Sequence, residues 1–123
     1  MKEIKFTIPL VPVTKKNSQR IANCGSYSKI LPSKAYVQYE KDAGYFIPYR
    51  GRMIDQPCEV VCLFYMATQR TVDLTNLEEA IDDVLVKYGV LKDDNSKILV
   101  SHDGSRVLHD PKNPRTEVTI RFL

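Results

Sequence analysis

The chain has 123 residues, 43% hydrophobic and 27% charged, which suits one folded domain over residues 1–123 and excludes a disordered segment. No apolar run approaches the roughly 18 residues of a membrane-spanning helix, so no membrane partner is expected and a cytoplasmic protein is the expectation. Net charge is +3, yet the window Asp73–Asp94 holds seven acids and two bases and carries −5, leaving +8 for the rest.

The opening "MKEIKFTIPL" reads as a strand over residues 2–8, stopped by Pro9 and Pro12, and not as a secretion signal. Residues 13–30 form a basic, polar stretch, expected as an exposed loop or irregular strand pair. Pro32-Ser33 opens a helix, with Ala35, Val37, Tyr39, Ala43 and Phe46 on one face and Pro48 as its stop. "CEVVCLFYMA", residues 58–67, is the best central strand, with Cys58 and Cys62 as small buried thiols. A second helix begins near Asn76 and ends at Gly89. Residues 96–101 and 105–108 read as one interrupted strand, "HDPKNP" as a turn, and "RTEVTIRFL" as a terminal strand. The order β–α–β–α–β–β implies an α/β fold: a mixed sheet with two main helices packed on it.

On the second helix, Leu77, Ala80, Ile81, Val84, Leu85 and Tyr88 share the face that must pack on the sheet. Asn76, Glu79 and Asp83 share one flank, Glu78 and Asp82 the other. Thr75 and Glu78 have the spacing of a capping box, which accounts for Glu78, and Asp82 is expected in solvent beside it. Capping and packing leave Asp73 and the pair Asp93-Asp94 unexplained. If the loop after Gly89 folds back to the helix start, Asp73 and Asp94 can share a divalent ion. Mg²⁺ is the natural candidate, because it takes oxygen ligands and keeps several waters. Two scattered histidines, His102 and His109, are expected as surface turn residues.

The residues "DLTNLEEAIDDVLVKYGVLKDDNSKI" resemble the RusA family of Holliday-junction resolvases. The likeness rests on Asp73-Leu74-Thr75-Asn76-Leu77, Asp83-Val84-Leu85 and Asp93-Asp94. It extends more weakly to "IPLVPVTKKNSQR" and "LPSKAYVQYEKDA". It implies a homodimer that binds four-way DNA junctions and introduces paired nicks with Mg²⁺. Asp73 and Asp94 match two acids of the family's catalytic set, and Asp83 an acid nearby. Two positions depart from the pattern: Thr75 stands where the motif's second acid is usual, and Glu79 where a lysine is usual. The expectation is that Glu79 replaces the missing carboxylate, giving Asp73, Glu79 and Asp94 as the catalytic set, with Asp83 added as a metal ligand.

The first fifty residues are strongly basic. Lys15, Lys16 and Arg20 share the loop after Pro12 and suit phosphate contacts, and Arg70 precedes the acidic motif. Tyr27, Tyr36, Tyr39, Tyr45 and Tyr49 interleave with the bases and are expected mainly in the core or at sheet edges. Competing readings are a junction-binding module that cuts weakly or not at all, and a metal-dependent nuclease for another branched nucleic acid.

Overall fold

The computed structural model describes residues 2–15 and 20–123, apart from the side chains of Arg20 and Ala22. The strands are β1 (Glu3–Ile8), β2 (Arg20–Cys24), β3 (Tyr27–Leu31), β4 (Cys58–Met66), β5 (Leu99–Ser101), β6 (Arg106–His109) and β7 (Arg115–Phe122); the helices are α1 (Lys34–Ala43) and α2 (Leu74–Lys87). A 3-10 turn, Gly44–Phe46, follows α1. The fold is therefore α/β, as expected, with a mixed sheet and two helices.

The main sheet runs β1-β7-β4, all antiparallel neighbours. Both β5 and β6 then pair with β4 in parallel, β5 at its start and β6 at its end. The interrupted strand of the sequence is thus two short strands on one partner. Alternation sets the core: Cys58, Val60, Cys62 and Phe64 of β4 face inward with Thr116, Val118 and Ile120 of β7. Against this face α2 packs Leu77, Ala80, Ile81, Val84 and Leu85, each nearly fully buried. Tyr88 is only half-buried.

Two helix details depart from the sequence reading. The buried face of α1 is Tyr36, Tyr39 and Ala43, while Ala35 is exposed. Tyr36 reaches inward because its hydroxyl meets Glu40 at 3.2 Å and the Ala80 carbonyl at 3.4 Å, and this ties α1 to α2. In α2 the N-cap is Asp73, not Thr75, so the Thr75–Glu78 capping box does not form. Glu78 is instead drawn toward the sheet. Gly89 closes α2 at φ +68°, the left-handed conformation that glycine adopts freely. The loop beyond it runs beside the start of β4: the Lys92 N–H donates to the Ile54 carbonyl and the Cys58 N–H to the Ile98 carbonyl.

Candidate active site

β4 ends at Met66, and a short connection leads through Arg70 to Asp73, the first residue of the α2 cap. This connection faces the segment after β1. Between them lies an open cleft of about 580 Å³, lined in part by Val11, Thr14, Ser33, Met66, Arg70 and Val72. A smaller recess of about 230 Å³ continues it, lined by Thr14, Thr71, Val72, Asp73 and Asn76. Arg70 and Asp73 therefore open onto one continuous groove. Asn76 donates from Nδ2 to Asp73 Oδ2 at 3.3 Å, which helps fix the carboxylate. Thr14 is 4% exposed, and its Oγ1 has no hydrogen-bond partner. Burying a hydroxyl unpaired costs about 1–3 kcal/mol.

Glu79 and Asp83, on the flank expected to complete a metal site, surround a lysine. Lys15 pairs with Asp83, and the charges of Glu79 and Glu40 add to the Asp83 hydrogen bond in holding its pKa above the ordinary lysine value. Lys15 also lies 5.9 Å from the Tyr36 ring centroid, within reach of a cation–π contact. Lys16 lies outside the described residues, as does the side chain of Arg20. Arg70 is exposed in the groove.

Asp94 lies near enough to Asp82 of α2 for the two charges to act on each other. Its loop is pinned to Ile54 and Cys58 at the start of β4, whereas Asp73 follows the end of β4. Fourteen residues of α2 lie between Asp73 and the turn at Gly89, a rise of about 21 Å. The loop's backbone is engaged at the start of β4, the charge of its Asp94 acts on Asp82 in α2, and Asp73 and Asp94 do not gather with a third carboxylate among the described residues.

The opposite flank of α2 holds a group that the sequence did not reveal. His102 Nε2 lies 2.8 Å from Asp82 Oδ2, and its Nδ1 lies 2.9 Å from the Val60 carbonyl and 3.7 Å from Glu78 Oε2. Asp82 is 8% exposed, and its Oδ1 has no hydrogen-bond partner. Burial raises the Asp82 carboxyl above the ordinary range, against the opposing pull of His102. Burial likewise raises Glu78. For His102, burial opposes the charge, but the Asp82 hydrogen bond and the charges of Asp82 and Glu78 outweigh it, and the pKa is raised. Neither a solvated Glu78–Asp82 face nor a surface His102 describes this chain. The available signal was the placing of Glu78 and Asp82 at the border of the apolar stripe; nothing local named their partner. His109 is exposed at the end of β6, as expected, with Nδ1 2.9 Å from Gln69 Nε2.

A family model described as "Endodeoxyribonuclease RusA" matches residues 9–121. The chain belongs to the RusA family. RusA proteins are Holliday-junction resolvases that hydrolyse phosphodiester bonds, and they are metal-dependent in general. The match covers every element described here except β1 and the last residue of β7. No match was found among curated proteins. Among the described residues, no three His, Cys, Asp or Glu side chains gather as metal ligands, so the expected four-carboxylate cluster is not assembled within one chain. The recess at Asp73 still has the right chemistry for a hard cation. It offers the Asp73 carboxylate and the oxygens of Asn76 and Thr71, and Mg²⁺ commonly takes one or two carboxylates plus waters and substrate phosphate.

Proposed function

We propose that residues 1–123 act as a single Mg²⁺-dependent endonuclease unit. It resolves four-way DNA junctions by paired nicks during recombination and repair, as a cytoplasmic homodimer. The observation that carries this reading is the match to the RusA family over residues 9–121, together with a groove that joins Arg70 to Asp73.

Arg70 holds a DNA phosphate in the groove by a charge-assisted contact. Asp73, steadied by Asn76, presents its carboxylate beside that phosphate and would hold the divalent ion. The bound ion supplies charge stabilisation at the phosphoryl oxygens and an acidified water. No protein nucleophile is required. Asp94 belongs to the catalytic set by its place in the motif. Because Asp73 and Asp94 do not gather with a third ligand among the described residues of one copy, the reading assigns each site an Asp73 from one copy and an Asp94 from its partner. Glu79 and Asp83, already engaged with Lys15, are assigned to holding that lysine.

The test is a synthetic four-way junction offered with and without Mg²⁺, beside a linear duplex of the same sequence. Paired nicks confined to the junction, and dependent on the ion, are expected. Binding without nicks would favour a non-cutting junction-binding module, and equal cutting of linear duplex would favour a nuclease with another substrate. Either outcome would contradict the reading.

A further inference from the structure

The hairpin β2–β3 forms a separate two-stranded sheet outside the main one. Such a hairpin has little stability of its own, and apolar residues on it are best used where they gain burial. Ile21 and Ile30 sit directly opposite each other in its register, so both project from one face. They are 76% and 68% exposed, more than nearly all other large hydrophobic residues described. Tyr27 at the turn is 65% exposed, and Lys29 beside it is exposed as well.

Lys29, paired with Ala22 one position along, projects from the opposite face of the ribbon, and the charge of the surrounding sequence selects the partner. Residues 4–39 contain six bases (Lys5, Lys15, Lys16, Arg20, Lys29 and Lys34) and no acid at all. An apolar pair inside an acid-free, basic stretch suits a polyanion that also offers apolar faces. Paired duplex DNA buries its base faces in the stack, but a branch point exposes them. Apolar side chains that enter unstacked base steps are an established device for deforming DNA.

We infer that the β2–β3 hairpin is a DNA-inserting ribbon, in which Ile21 and Ile30 press on base faces opened at a branch point while Lys29 and its basic neighbours hold the flanking phosphates. This inference rests on the junction reading above and adds to it the element that distinguishes branched from linear DNA. The ribbon is separate from the Asp73 groove, so its loss should weaken recognition before chemistry.

The test uses the full chain and a four-way junction carrying 2-aminopurine at the branch point, with linear duplex as the control and Ca²⁺ in place of Mg²⁺. Wild-type protein should raise the 2-aminopurine fluorescence by unstacking the base. The double variant Ile21→Ala/Ile30→Ala should lose that rise, and its preference for junction over duplex should fall about tenfold or more while duplex binding stays the same. Both side chains are exposed, so folding, followed by circular dichroism, should be unchanged. A full fluorescence rise and full preference in the double variant would overturn the ribbon and leave the junction reading intact. A double variant that is monomeric where the wild type is dimeric would also overturn it, placing the two isoleucines against a second copy. Wild-type protein that binds junction no better than duplex would overturn the functional reading itself, and the ribbon with it.

Discussion

His102 cannot be neutral beside an ionised Asp82 without setting a ring lone pair against a carboxylate. Its Nδ1 faces a carbonyl and must donate, so the contact with Asp82 needs a proton of its own, carried by Nε2 when the ring is charged or by Asp82 Oδ2 when the ring is neutral. The pair therefore holds one proton more than a neutral imidazole and a carboxylate would. Removing the ring leaves Asp82 and Glu78 close together and largely buried, so His102→Gln should lower stability by about 3 kcal/mol. The sign with pH follows from the raised His102 pKa. Its contribution is complete below the ordinary histidine value and is lost as pH rises through the higher folded-state value. Urea unfolding at about pH 6 and about pH 9 should show the gap between wild type and variant narrowing at the higher pH. A second comparison concerns Glu79. With its charge acting on Lys15, Glu79→Gln should reduce nicking far less than Asp73→Asn does, which a single-turnover nicking assay resolves. Equal losses in the two variants would restore Glu79 to the catalytic set.

The elements were legible where one local signal dominated. The apolar stripe of α2 emerged because five of its members recur at helical spacing and all five are buried. Its first residue did not, because Asp73 and Thr75 are both good N-caps two positions apart, and the backbone chose the earlier one. The inward face of α1 was misplaced because Tyr36 owes its burial to Ala80 and Glu40, contacts that only the packed helices provide. The parallel pairing of both β5 and β6 with β4 was equally hidden, since strand partners are a tertiary choice. Close packing of the two helices gives a prediction at this scale. A Cβ on Gly44 would lie 2.6 Å from Tyr88 Cζ. The ring cannot easily yield, because its hydroxyl donates to the Glu40 carbonyl at 2.7 Å. Gly44→Ala should therefore destabilise the fold by about 2 kcal/mol, read as a lower urea midpoint with an unchanged slope.

At the scale of the whole molecule, the lack of a third ligand gathered with Asp73 and Asp94 among the described residues turns an acidic motif into a statement about assembly. The sequence brought the two together because both flank one helix; the loop hydrogen bonds to Ile54 and Cys58 hold Asp94 near the start of β4, where its charge acts on Asp82 instead. If the site is shared between copies, Asp73→Asn and Asp94→Asn homodimers are each inactive. Mixing and re-equilibrating them should restore single-strand nicking, since one site of each mixed dimer regains both acids. Mixtures that stay inactive would show that each site draws both acids from the same copy. The most direct measurement for the central claim is simpler. Wild-type and Asp73→Asn proteins are each incubated with a four-way junction and Mg²⁺, and binding and nicking are followed together. The expected result is undiminished junction binding with nicking reduced about 100-fold or more in the variant. Nicking by Asp73→Asn at the wild-type rate would contradict the assignment of the groove as the active site.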